Sequence, residues 1–101
     1  MWEVLFTDKC EKEIKKHIKE AQISEDDMRV IGIWIKQVKK HGPESLRISG
    51  QKSNWNDHDL DRKWSGHRAC NYSYQGRIIY KVEGNKIKVI VVKITPNHDY
   101  S

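Results

Sequence analysis

Residues 77–94 read RIIYKVEGNKIKVIVVKI, and this stretch decides the fold. Apolar and polar residues alternate on both sides of Gly84-Asn85, with the period of a half-buried β-strand. Glycine and asparagine supply the positive φ angles of a tight two-residue turn, so the stretch predicts a β-hairpin. The predicted register brings three apolar pairs together on the core face: Val82 with Ile87, Tyr80 with Val89, and Ile78 with Val91.

The other face of this hairpin carries polar as well as apolar side chains: Arg77, Ile79, Lys81, Lys88, Ile90 and Val92. Arg77 therefore faces away from the predicted core. In this register it pairs with Val92, a few residues before the polar tail at 95–100, which contains His98. We expect Arg77 and His98 to lie at the same edge of the sheet.

A further strand is predicted at 67–73, before this hairpin. Tyr74-Gln75-Gly76 favours a three-residue loop in which Gly76 is left-handed and forms a bulge. That loop turns Cys70 and Tyr72 to the core face, opposite Tyr80 and Ile78. A two-residue loop at 75–76 is the alternative and would turn them to the other face.

The first half of the sequence predicts a short strand and two helices. Residues 2–6 form the strand, and Thr7 or Asp8 caps the first helix. Ser24 and Asp27 resemble a capping box that starts the second helix, which Gly42 ends before a proline. Two helices joined by a short turn pack antiparallel, and the apolar face of the sheet is their available partner. The sequence thus predicts one α+β domain over residues 1–101, with two N-terminal helices packed on one face of a twisted antiparallel β-sheet.

The segment between the helices and the later strands is polar. Residues 46–48 could start a strand, and residues 50–63, which include Trp55, resemble an exposed loop. A loop of that length in a small domain is usually functional or mobile.

Composition limits the classes of function. The chain has 101 residues and a formal net charge of +5, which suits a partner such as RNA, DNA, an anionic membrane or an acidic protein. A basic domain without a polyanionic partner is the alternative. No apolar run approaches the about 20 residues that span a bilayer, and no secretory signal opens the sequence. The two cysteines, Cys10 and Cys70, favour a reducing cytoplasm with both thiols free. No His or Cys spacing predicts a metal site, and no phosphate-binding loop or other cofactor motif is present.

The remaining polar residues suit metal-free cleavage of RNA. In that chemistry the 2′-hydroxyl is the nucleophile, and the protein supplies a base, an acid for the leaving 5′-oxygen and a cation for the phosphate. Histidine suits either proton role and arginine suits the phosphate. The candidates for catalysis are His98, Arg77, His58 and Tyr100. The candidates for binding RNA are Lys52, Lys63, His67, Lys81, Lys93 and Asp99.

Three stretches carry a resemblance to the RelE/ParE toxin superfamily of bacterial toxin–antitoxin modules. Asp57-His58-Asp59-Leu60 and the run at 64–70, WSGHRAC, resemble the D-H-x-L…W-x-G-x-R-x-C segment of its YafQ-like branch. Residues 76–82, GRIIYKV, resemble a strand found across the superfamily, and His98-Asp99-Tyr100 is similar to the ending of its nuclease members.

The resemblance implies a toxin that cleaves mRNA in the ribosomal A site and is neutralised by a cognate antitoxin. It implies that Arg77 stabilises the phosphate and that His98 and His58 transfer protons, while Tyr100 takes the terminal aromatic position. The chain departs from the YafQ-like branch at Asn71, where that branch has a second histidine, and at 73–75, where it has an acidic residue. A gyrase-inhibiting toxin of the same fold, or an inactive RNA- or antitoxin-binding module, are the alternatives.

Overall fold

The computed structural model describes residues 1–47 and 55–98, which form two helices and one five-stranded sheet. The elements in chain order are β1 (Glu3–Phe6), α1 (Asp8–Lys19), α2 (Glu25–His41), β2 (His58–Asp59), β3 (Arg68–Asn71), β4 (Arg77–Glu83) and β5 (Lys88–Thr95). The strand order is β1-β5-β4-β3-β2. The predicted α+β fold class is confirmed. The sheet is mixed, because β1 adds to β5 in the parallel direction while the other pairs are antiparallel.

The helix termini follow local sequence, as predicted. The Thr7 side chain accepts a hydrogen bond from the Cys10 N–H at 3.1 Å and starts α1. Ser24 and Asp27 form a reciprocal capping box at the start of α2. Gly42 ends α2 with a φ of 83°, in the left-handed region that favours glycine.

The core lies between the helices and one face of the sheet. Trp34 of α2 is fully buried and meets the Tyr80 ring of β4 edge-on, with ring centroids 5.3 Å apart. The largest fully buried side chains of this core cluster come from both layers: Trp34, Tyr80, Ile31, Ile78, Ile94, Val38, Val89 and Val91. An edge-to-face aromatic pair adds about 1 kcal/mol to the burial of its area.

The predicted register of β4 and β5 is wrong by two residues. Tyr80 pairs with Val91 and Val82 with Val89. The connection is longer than two residues, because a 3₁₀ turn at Gly84–Lys86 is followed by Ile87 in the left-handed conformation. A two-residue shift keeps each side chain on its predicted face. It does move Ile87 out of the core, and its side chain is 48% exposed.

A β-bulge in β5 changes the pairing beyond Tyr80. Ile79 pairs with Lys93 while Tyr80 pairs with Val91, so Val92 is the extra residue. The bulge is why the core face continues at Ile94 after Val89 and Val91. Arg77 consequently pairs with Thr95 and not with Val92 as predicted.

The link between β3 and β4 is also longer than predicted. Cys70 pairs with Ile78 and Asn71 with Arg77, so neither the three-residue nor the two-residue loop is formed. Cys70 and Tyr72 still reach the core, because this register also differs from the favoured one by two. Gly76 is not left-handed. A Cβ there would lie 2.3 Å from the Tyr72 ring, so glycine is required for close packing.

Two expectations for the polar segment are wrong. Residues 43–47 form a 3₁₀ helix, Pro43–Arg47, and not the start of a strand. Trp55 is only 6% exposed, and its Nε1–H donates to Gln37 Oε1 of α2 at 3.1 Å. A tryptophan that finds a partner for its N–H can bury its large ring, which the polar neighbours in sequence did not reveal. Residues 48–54 lie outside the described residues.

None of the helices within 1–47 and 55–98 has the length and apolar composition that crossing a membrane requires.

Candidate nuclease site

The face of the sheet opposite the helices carries four of the candidate residues: His58, Arg77, Lys81 and Lys93. Direct cross-strand pairs place His58, Ala69, Ile79 and Lys93 in one row. The next row contains Asn71, Arg77 and Thr95. The core cluster takes the alternate residues of these strands, among them Cys70, Ile78 and Tyr80. Both rows therefore belong to the face away from the helices, here called the open face, although Ala69, Ile79 and Thr95 in these rows are buried. His58 and Arg77 are two strands and two residues apart, or about 12 Å between Cα atoms.

Arg77 is held by the turn that precedes it. Its Nη1 donates to the carbonyl oxygens of Tyr74 at 3.2 Å and Gly76 at 3.0 Å. A guanidinium has five N–H donors, so this anchoring uses only part of its capacity. The side chain is half-buried, which suits a cation that must bind a phosphate from a fixed position.

The tail leaves the sheet beside Arg77. Thr95 pairs with Arg77, and the Thr95 carbonyl accepts a hydrogen bond from the buried Tyr72 hydroxyl at 3.1 Å. Asn97 N–H then donates to Thr95 Oγ1 at 3.2 Å, and His98 follows, exposed. Paired Cα atoms are about 5 Å apart, and three residues extend at most about 10 Å. The His98 Cα therefore lies at most about 15 Å from that of Arg77.

Two other histidines belong to the open face and its edge. His58 is exposed on β2, and its Nδ1 lies 2.7 Å from the carbonyl oxygen of Asn56. His67 stands edge-on against the Trp64 ring at 5.4 Å between centroids. Its Nδ1 is 3.4 Å from the Ser65 carbonyl oxygen, a much weaker contact.

The lysine candidates are dispersed. Lys81 lies on the open face of β4, opposite Ile90, while Lys63 is exposed in the 3₁₀ turn Arg62–Trp64. Lys93 forms an ion pair with Glu13 of α1 at 3.2 Å, so its charge is directed to the helix. Lys52, Asp99 and Tyr100 lie outside the described residues, and their roles stay predictions.

A buried hydrogen-bond cluster around Asp57, here called the Asp57 cluster, was not predicted. The Asp57 side chain is fully buried. It accepts hydrogen bonds from four side chains: Arg47 Nε, Arg68 Nε at 3.3 Å and Nη2 at 3.2 Å, Cys70 Sγ at 3.0 Å, and the Tyr80 hydroxyl. Two cations and two neutral donors compensate the buried carboxylate, as burial of a charge requires.

The Asp57 cluster explains the sequence motif. Asp57, Arg68, Cys70 and Tyr80 all belong to the stretches that resemble the toxin superfamily, and all four meet on the core side of β2, β3 and β4. Burial, reinforced by Asp57, raises the pKa values of the Cys70 thiol and the Tyr80 hydroxyl, so both stay protonated as donors. One signal in the sequence could have indicated this cluster. Cys70 and Tyr80 were predicted to share the core face, and a buried tyrosine hydroxyl needs a hydrogen-bond partner.

The described residues hold no cluster of three or more His, Cys, Asp or Glu side chains arranged to bind a metal ion.

Solved structures similar to this chain include bacterial toxins. A copper-bound mutant toxin from Helicobacter pylori is 19% identical, covers all of both chains and superposes with a TM-score of 0.73. YafQ in the DinJ–YafQ complex of E. coli is 16% identical over 97% of this chain and 94% of its own, with a TM-score of 0.69. The YoeB–YefM complex of Staphylococcus aureus gives 13% identity, 94% and 95% coverage and a TM-score of 0.65. No protein-family model and no curated protein sequence matches the chain.

These similarities establish the fold. The chain has the fold of YafQ and YoeB, as its resemblance to the RelE/ParE toxin superfamily implies.

Proposed function

We propose that this chain is the toxin of a type II toxin–antitoxin module and that it cleaves mRNA in the ribosomal A site. The observation that carries the proposal is the placement of Arg77 beside the start of the tail, on the sheet face that also bears His58. The fold shared with YafQ and YoeB supports this proposal, because YafQ has been solved in a complex with DinJ and YoeB in a complex with YefM. A cognate antitoxin is therefore the expected inhibitor, and the cytoplasm, where ribosomes work, the expected location.

The reaction needs no metal. One histidine takes the proton of the 2′-hydroxyl, the O2′–P bond forms, and the P–O5′ bond breaks as a second histidine protonates the leaving 5′-oxygen. The products are a 2′,3′-cyclic phosphate and a 5′-hydroxyl. Arg77 would stabilise the additional negative charge on the phosphate oxygens in the transition state. His58 and His98 are the two proton-transfer residues, and Tyr100 is the aromatic candidate for stacking on a base.

The test is ribosome-dependent cleavage of mRNA during translation by purified protein. We expect His98→Ala and Arg77→Ala each to lower the cleavage rate by about 10²-fold or more, as for loss of a general acid–base or of a transition-state donor. His17→Ala is the matched histidine control, because His17 lies on α1 and bonds Gln22, away from the open face. It should cleave like the wild type.

A second assay on the same proteins separates the alternatives. If the wild type leaves mRNA intact and inhibits DNA supercoiling by gyrase, the gyrase-directed function holds and the nuclease proposal is wrong. If it does neither and binds only antitoxin or RNA, the chain is an inactive module.

A further inference from the structure

His58 lies between two carboxylates that are held by one arginine. Asp57 and Asp59 are two residues apart in and beside β2, so their side chains project to the same side while His58 projects to the other. Arg47 Nε donates to Asp57 Oδ1, and Arg47 Nη2 donates to Asp59 Oδ1 at 2.8 Å. Arg47 therefore holds the residues on both sides of His58 through their side chains, from the face of the sheet opposite the His58 ring.

The backbone before Asp57 completes this arrangement. Asn56 has a φ of 51°, a left-handed conformation that asparagine tolerates better than most residues. Its carbonyl oxygen lies 2.7 Å from His58 Nδ1. A carbonyl can only accept a hydrogen bond, so Nδ1 carries the proton and Nε2 of the neutral ring holds a free lone pair.

We propose that Arg47 is a positioning residue that holds His58 in the Nδ1–H tautomer, so that His58 Nε2 is the base that takes the proton of the 2′-hydroxyl. This inference rests on the proposed function and deepens it by assigning the proton roles. Nε2 gains the 2′-hydroxyl proton and the ring becomes an imidazolium, while O2′ bonds to phosphorus. The proton for the leaving 5′-oxygen then comes from the other histidine, His98.

Of the two arginines that bond Asp57, Arg47 is the one that can be changed with less damage to the core. Its side chain is 32% exposed, whereas that of Arg68 is 11% exposed and lies over the Tyr80 ring. Without Arg47, the Asp57 carboxylate still has Arg68, Cys70 and Tyr80 as donors. The substitution removes the hydrogen bonds from Arg47 to Asp57 and Asp59, so one side chain no longer holds both carboxylates.

The experiment measures the His58 tautomer by nitrogen NMR of the free protein and the kcat and KM of cleavage on ribosome-bound mRNA. In the wild type we expect the Nδ1–H form at His58, although free imidazole in water favours the other tautomer. In Arg47→Met, which keeps the apolar stem of the side chain, we expect a mixture of tautomers. We also expect kcat to be about 10- to 100-fold lower, the usual effect of losing a residue that orients an active histidine, with KM little changed. Arg29→Met is the matched control, because Arg29 is exposed and bonds only its neighbour Asp26 among the described residues.

Asp59→Asn tests the same arrangement from its exposed end and keeps the inference testable if Arg47→Met does not fold. The Asp59 side chain is 75% exposed, so its loss leaves the core intact. It should shift the tautomer and kcat in the same direction by a smaller factor.

An Nε2–H tautomer at His58 in the wild type would overturn the inference, as would an unchanged tautomer in the variant that folds. A tautomer that shifts as expected in a protein that does not cleave mRNA would overturn the proposed function and the catalytic part of the inference. It would leave Arg47 as the residue that sets the His58 ring.

Discussion

Removal of one hydroxyl tests the Asp57 cluster without any assumption about function. In Tyr80→Phe the ring keeps its edge-on contact with Trp34 and its place under the Arg68 guanidinium, but Asp57 Oδ2 loses a donor. Both partners are inaccessible to solvent, so water cannot replace the lost hydrogen bond. Hydrogen bonds to a charged group are worth about 1.5–3 kcal/mol, and we therefore expect the free energy of unfolding to fall by about 2 kcal/mol.

Tyr72→Phe is the matched control for this substitution. The Tyr72 hydroxyl is also buried, but it donates to the uncharged carbonyl of Thr95. Its loss should lower the free energy of unfolding by about 1 kcal/mol. A change of 1 kcal/mol moves the Tm of a domain of this size by about 4–8 °C, so the two variants are easily distinguished by heating.

The assay is urea denaturation followed by circular dichroism, with the free energy of unfolding and its dependence on urea fitted for each variant. An unchanged urea dependence would show that the substitutions alter stability and not the extent of unfolding. If Tyr80→Phe costs no more than Tyr72→Phe, the Tyr80 hydroxyl is not bonded to a buried carboxylate and our account of the cluster is incorrect.

Three further predictions concern stability. Ala21→Gly should raise the free energy of unfolding by about 0.5–1 kcal/mol in the same urea assay, because Ala21 has a φ of 59° after α1 and glycine adopts that conformation without strain. Gly76→Ala should lower it by about 1–3 kcal/mol, since the added methyl group meets the Tyr72 ring, whereas Gly32→Ala, in open space within α2, should raise it by about 0.5–1 kcal/mol. Burial raises the pKa of the Cys10 thiol from 9 to about 11. Its contribution to stability is thus complete below pH 9 and is lost as the pH rises to about 11, so Cys10→Ala should flatten the pH dependence of Tm over that interval.

The sequence predicted the layers of the fold and the faces of its strands more accurately than their pairing. Both hairpin registers are wrong by two residues, and side chains alternate with a period of two, so Ile78, Tyr80 and Cys70 still belong to the core face. The turns were misassigned because Gly84-Asn85 and Gly76 are local signals. The left-handed Ile87 and the bulge at Val92 have no such local signal in the sequence.

The candidate site was also predicted only in part from the sequence. The open-face position of Arg77 followed from alternation. Its proximity to the tail was predicted from a pairing with Val92, whereas Arg77 pairs with Thr95. The Asp57 cluster was not predicted, because a buried carboxylate is stable only with partners that are distant in sequence, such as Arg47 and Tyr80. In the sequence Asp57 looks like one of several polar loop residues. Only the tertiary structure shows that Asp57, the residue before His58, is held by side chains from other parts of the fold.

The parallel pairing of β1 with β5 has a consequence for synthesis of the protein. Residues 3–6 leave the ribosome early, but their partners at 88–91 are made long afterwards, and β5 is the strand that joins β1 to the rest of the sheet. Contacts between residues so far apart in sequence form slowly, since closing the intervening chain is entropically costly. The nascent chain can form its helices but not its complete sheet. A protein proposed to attack translating ribosomes would thereby acquire its active form only after residues 88–91 have been synthesised.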